Sequence, residues 1–144
     1  MKFSRKARYG LRAMVALAQN YTGEPVSLNE IAKSEEISLG YLEQLMAILR
    51  KAGLVEGTRG AQGGYKLKGN PATITVGRVL RVLDGPLAPA ECASDGASPL
   101  YCSREGVCTS KQLWRRVHDS LSRVLDTMTL ADLCHNSHIA EEKN

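Results

Sequence analysis

The 144-residue sequence predicts a mainly α-helical chain in which a helix-turn-helix is followed by a small, basic-tipped β-hairpin and, near the C-terminus, by one long helix. Apolar residues recur at three- and four-residue spacing through successive segments before residue 53. A Gly-rich stretch, LVEGTRGAQGGYKLKG, then breaks that periodicity between two short strand-like runs. A second apolar stripe, from Leu113 to Met128, restores it over a length that a small domain does not readily cover.

At this length the chain is one domain, or a small domain with an appended element, and it can bury enough core to fold without disulfides. The basic start MKFSRKARYGLRAM is followed neither by a long apolar run nor by a small-residue cleavage site, and no stretch is suited to span a bilayer. The expectation is a cytoplasmic protein with no membrane partner. Residues 1–68 hold eleven Lys/Arg against six Asp/Glu, or +5, whereas residues 69–144 hold eight against nine, or −1. A basic excess confined to the N-terminal half suits a polyanionic partner for that half. No nucleophile–base pair, phosphate loop or paired acid is visible, so no enzymatic activity is expected.

The first helix runs from Arg5 to about Asn20, with Ala7, Leu11, Met14, Val15 and Ala18 on one face and Arg5, Arg8 and Arg12 on another. Gly23 and Pro25 end it. Ser27 with Glu30 three residues later forms a capping box for a second helix over LNEIAKSEE. Ser38 caps the third, where Leu42, Leu45, Met46 and Leu49 share a face and Gly53 supplies the stop. The short EIS connection between the second and third makes the pair a helix-turn-helix. A hairpin directly after such a pair, tipped by Arg59, reads as the wing of a winged helix, able to reach a phosphate backbone or minor groove while the third helix lies in the major groove. The alternative for RGAQGG is an ordinary flexible loop; a nucleotide-binding loop is excluded because no Lys-Ser or Lys-Thr pair follows the glycines.

An extended segment around Thr73–Thr75 precedes a helix over Val76–Leu83, which stops at Asp84-Gly85-Pro86. Thr109 or Ser110 caps the long helix, whose stripe of Trp114, Val117, Leu121, Val124, Leu125 and Met128 is assigned to a homodimer seam. Thr129 with Asp132 starts a short last helix. The resulting organisation is a winged helix-turn-helix DNA-binding domain (1–83), a cysteine-rich loop (84–108), a dimerisation helix with a short terminal helix (109–135) and a flexible tail (136–144).

Three of the four cysteines, Cys92, Cys102 and Cys108, lie in that Ala/Ser/Gly/Pro-rich loop, which has too little apolar surface to form a core. Thiolates are soft ligands, and an irregular loop can wrap a metal cluster without the constraint of a helix. Tetrahedral zinc is disfavoured because no closely spaced cysteine pair is present. A disulfide switch or incidental thiols remain open from the residues alone.

Taken together, MKFSRKARYGLRAMVALA, SLNEIAKSEEIS, YLEQLMAILRKAGLVEGTRGAQGGYKL, VGRVLRVLDGPL, the cysteine loop and TLADLC resemble the IscR, NsrR and CymR group of bacterial winged-helix regulators, the Rrf2 family, with IscR-like members nearest. The resemblance extends to about His135. It implies a homodimeric transcription factor on double-stranded DNA with a palindromic operator, and a [2Fe-2S] cluster held by Cys92, Cys102 and Cys108, controlling cluster-biogenesis genes. Nitric-oxide or redox sensing, and a cluster-free CymR-like regulator acting through a partner protein, are the alternatives within the family. Nine residues separate the first two cysteines where relatives commonly have five, which a loop insertion accommodates. The position three beyond the last cysteine, a His in IscR-like members, is Lys111 here; the acidic residue that other relatives carry near the first helix is replaced by Arg5, Lys6 and Arg8. The fourth ligand is therefore unknown, with Glu105, Glu43 or a partner-subunit residue as candidates. His118 is ten residues beyond Cys108 and Cys134 further still. Ser38, Tyr41 and Gln44 match DNA-facing positions of the family, Glu43 stands among them as a carboxylate whose posture depends on cluster occupancy, and Arg59, Arg5, Lys6 and Arg50 are expected at phosphates or the minor groove.

Overall fold

A computed structural model describes residues 2–94 and 106–135; Cys102, Glu105 and the 136–144 tail lie outside the described residues. Helices α1 (Arg5–Gln19), α2 (Leu28–Glu35) and α3 (Leu39–Lys51) are followed by the antiparallel hairpin β1 (Val55–Thr58) and β2 (Gly64–Leu67). A 3-10 turn (Pro71–Thr73), α4 (Val76–Asp84), a second 3-10 turn (Glu91–Ala93) and α5 (Lys111–Thr127) complete the chain, with residues 130–135 again helical. This is a winged helix-turn-helix, mainly α, carrying a long helix near its C-terminus. Among the described residues, no helix is long and apolar enough to cross a membrane.

The caps explain where the helices begin. Ser4, Ser38 and Thr75 each accept a backbone N–H from three residues on, satisfying one of the donors left open at a helix start. Ser27 accepts from the Asn29 N–H at 3.2 Å, so this cap serves the second residue of its helix and not Glu30, the partner expected of a capping box. Glu36 follows α2 in the left-handed region at φ 55°, which makes the sharp turn into α3, and Gly53 at φ 80° ends α3. The extended segment expected around Thr73–Thr75 is shorter than that and begins one residue later. Asn70 caps a 3-10 turn through Thr73, and only Ile74 and Thr75 are extended. Thr129 and Asp132 do cap reciprocally, each side chain accepting the other's N–H, at 3.2 and 2.9 Å.

Among the described residues the core is wholly apolar and is drawn from α1, Ile31 of α2, α3, α4, the hairpin, Leu130 and the connecting residues Ile37, Leu54, Ile74 and Leu87. On α1 the buried face is set by Ala7, Gly10, Ala13, Met14 and Leu17, while Leu11 and Val15, expected inside, are half-buried. The face is rotated because α1 packs closely on α4, where Leu83 fills the space a side chain at Gly10 would need. Leu42, Leu45, Met46 and Leu49 of α3 are buried as the spacing predicts. Val26 exchanges backbone hydrogen bonds with Tyr65 at 2.7 and 2.9 Å, an isolated antiparallel bridge that fixes the hairpin against the start of α2.

Candidate nucleic-acid interface and cysteine loop

Along α3 the side chains divide by face. Leu42, Leu45, Met46 and Leu49 hold the helix to the core, leaving Ser38, Glu43, Gln44 and Arg50 exposed and Tyr41 half-buried. Such an exposed polar face on the second helix of a helix-turn-helix can present hydrogen-bonding groups to base edges. Glu43 makes no ion pair among the described residues.

Beside this helix, a cavity of about 430 Å³ is lined by Arg50 from α3, Arg59 and Gly60 from the hairpin tip, and Ser27, Leu28 and Asn29 at the start of α2. Arg50 and Arg59, nine positions apart on successive elements, thus line one cleft. The wing is stiffened by the Lys66–Glu56 ion pair across the strands, at 3.5 Å. Arg5, at the other end of the recognition helix, lines a second cavity of about 450 Å³ with Ser38 and Tyr41, and its neighbour Lys6 is exposed. Arg5 at one end and Arg50 with Arg59 at the other therefore bracket α3. Sequence reasoning missed the α2 start, because nothing local shows that residues 27–29 and 57–64 meet.

The long helix α5 is 17 residues and has no buried residue. Its ends differ. Near the C-terminus it is fastened to the body: Arg81 of α4 grips Asp126 with two bonds at 2.5 and 3.0 Å, Met128 accepts the Val76 N–H at 2.8 Å, and Leu130 donates to Ile74 at 3.0 Å. Gly77 permits this approach, since a Cβ there would lie 2.1 Å from the Asp126 carboxylate. Leu125 and Met128 pack against the chain's own core. Further towards the N-terminus, Trp114 and Leu121 are half-buried, and Leu113, Val117 and Val124 are 54%, 39% and 55% exposed.

Cys92 occupies the 3-10 turn that packs on α5, and Cys108 lies three residues before that helix; both are half-buried. Ser110 stands at the cap position without a capping side-chain bond, because its hydroxyl is 3.3 Å from the Cys108 thiol. With Cys102 and Glu105 outside the described residues, no group of three or more His, Cys, Asp or Glu gathers among the described ones. The donors present are soft thiols on irregular backbone, which fits the chemistry of an iron-sulfur centre. His118 sits within α5, 3.6 Å from Asp119. Cys134 is apart from the loop, in the segment beyond α5, where its Sγ lies 4.0 Å from the Val15 carbonyl and burial raises the thiol pKa.

The Rrf2 family model, described as an iron-dependent transcriptional regulator, matches residues 3–136. CymR of Bacillus subtilis is 44% identical over 133 residues, covering 92% of this chain and 89% of that protein. The CymR structure, described as that of the global cysteine regulator of B. subtilis, matches with a TM-score of 0.80 at 41% identity, over 94% of this chain and 98% of the other. IscR of Escherichia coli K12 is 36% identical over 141 residues, 98% of this chain and 85% of that protein. The IscR structure from T. potens matches with a TM-score of 0.77 at 41% identity, over 97% and 90% of the two chains. These identities do not place the chain nearer IscR than CymR, contrary to the expectation from its motifs. With the winged helix-turn-helix complete and the match running nearly end to end, the chain belongs to the Rrf2 family of transcriptional regulators.

Proposed function

We propose that this Rrf2-family regulator binds a palindromic operator as a homodimer and adjusts that binding to the state of a [2Fe-2S] cluster held by Cys92, Cys102 and Cys108, controlling genes of cluster assembly. The observation that carries the DNA reading is the convergence of Arg50 and Arg59 on one cleft beside the exposed polar face of α3. In this reading Ser38, Tyr41 and Gln44 meet base edges or nearby phosphates, the Gln44 amide having the donor and acceptor to pair an adenine edge. Arg59 anchors the wing, and Arg5, Lys6 and Arg50 neutralise phosphates. Two copies joined along the α5 stripe of Trp114, Val117, Leu121 and Val124, with Leu125 and Met128 given over instead to the chain's own core, would present two recognition helices to a two-fold site.

A bound cluster supplies one-electron redox chemistry and a sensitivity to iron supply and oxidants. Ligation by only three cysteines leaves the fourth ligand open and favours a labile, sensing centre. Cys92 and Cys108 flank the loop at α5, so their ligation would order the chain beside the dimer helix. Glu43 is the DNA-facing carboxylate through which occupancy would alter preference: close to phosphates it is repelled, whereas a cytosine amino group can donate to it. Anaerobic purification tests the centre. The expected result is a brown protein with about two iron and two sulfide per chain, and apo and holo forms that prefer different operators. Equal affinity and sequence preference in both forms would sink the sensing role.

A cluster-free regulator that takes its signal from a partner protein is the second reading. It is favoured by Lys111, whose protonated ammonium cannot ligate, and by the 44% identity to CymR. A colourless protein under strict anaerobiosis, with operator binding intact, selects it.

A further inference from the structure

We infer that Arg12, an α1 residue outside the expected DNA contacts, is a positioning residue that acts through Tyr9 to set the posture of Tyr41 at the start of the recognition helix. This rests on the reading of α3 as the DNA-facing helix. The Arg12 guanidinium donates its Nε–H to the Glu35 carboxylate at 3.3 Å and an Nη2 hydrogen to the Glu35 backbone carbonyl. Glu35 is the last residue of α2, directly before the left-handed Glu36, so one cation both satisfies an open helix carbonyl and ties down the turn. The same guanidinium carbon lies 5.2 Å from the centre of the Tyr9 ring. Tyr9 in turn meets Tyr41 edge to face, with ring centres 6.0 Å apart and planes at 77°.

Tyr41 is half-buried against the core, and Tyr9 is the aromatic ring that meets it. The two rings border a cavity of about 450 Å³, lined also by Arg5, Glu36, Ile37 and Ser38, into which the Tyr41 ring can shift when Tyr9 is loosened. The Tyr41 hydroxyl makes no hydrogen bond among the described residues, so a pinned ring leaves it to meet DNA. Arg12 thus couples the turn and the aromatic pair in a single contact set, and the recognition helix docks in one posture because of it.

The test is a double-mutant cycle on the palindromic duplex that the wild-type protein itself enriches from a random pool, read by fluorescence anisotropy. Arg12→Gln is expected to weaken binding about three- to five-fold, the size of one cation–π contact, and to relax base preference at the half-site position that Tyr41→Phe also relaxes. In the Tyr41→Phe background the same substitution should cost less than half as much. Arg12→Lys, which keeps the charge over Tyr9, should recover part of the loss. Tyr9→Leu should reproduce the pattern with Glu35 and its ion pair untouched, which keeps the test valid if Arg12→Gln melts near the assay temperature. Equal losses in both backgrounds, or a loss uniform across all sequences, would overturn the inference. A wild-type protein that enriches no duplex overturns the DNA-binding reading itself, a different failure from additivity in a protein that binds.

Discussion

The winged-helix body and helix α5 have the same kind of amphipathic sequence and opposite outcomes. In the body, α1, α3 and α4 each close their apolar faces against one another, and Met14, Leu42, Met46, Leu49 and Val79 are fully covered. In α5 no residue is buried, and Leu113, Val117 and Val124 stand open. A three-four periodicity therefore says that a face is to be covered, not by what. The body's partner is the body; the N-terminal part of α5 has none within its own chain among the described residues, and the proposed dimer would supply one. The two halves of α5 repeat the contrast within one helix, since Leu125 and Met128 rest on the chain's own core beside the Arg81–Asp126 clamp.

Substitutions on the two sides should fail in different ways. Leu45→Ala opens a void in the finished core and should cost about 2–5 kcal/mol, seen as a lower urea midpoint that does not depend on protein concentration. Val117→Asp places a charge on the open stripe, and should raise the dimer dissociation constant by roughly thirty-fold or more in sedimentation equilibrium while the helical circular dichroism of the body persists. Should Val117→Asp unfold the body with the same concentration-independent midpoint shift as Leu45→Ala, the contrast between the two regions collapses.

Smaller effects sharpen the boundary between stability and function. Arg59→Ala, at an exposed hairpin tip, should leave melting unchanged yet reduce the slope of log affinity against log salt by about one. Ser38→Ala, by contrast, touches both properties: it removes the acceptor for the Tyr41 N–H and should lower stability by about 1 kcal/mol. The smallest effect belongs to Cys134. Its pKa is raised above 9.0 by burial, so the unfolded thiol ionises first; the thiol's contribution is full below about pH 9 and falls as pH rises through the folded value. A Cys134→Ser variant should lack that alkaline loss in pH-dependent melts.

The sequence by itself determined what depends on near neighbours. Ser38, Gly53 and the Thr129–Asp132 pair announce helix ends because capping is a contact over three or four residues. The α3 face, the hairpin and the Rrf2 identity were legible for the same reason, as periodicity and contiguous motifs. Only the tertiary structure decided which residues share a site. It rotated α1 so that Gly10 meets Leu83 and left Leu11 and Val15 half-covered, and it turned the Ser110 hydroxyl from its helix towards Cys108. It brought the start of α2 to the hairpin tip at Arg59, Arg12 to Glu35 across 23 positions and Arg81 to Asp126 across 45. Side chains that far apart leave no local trace of their meeting, because packed helices, and not spacing along the chain, set the distance between them.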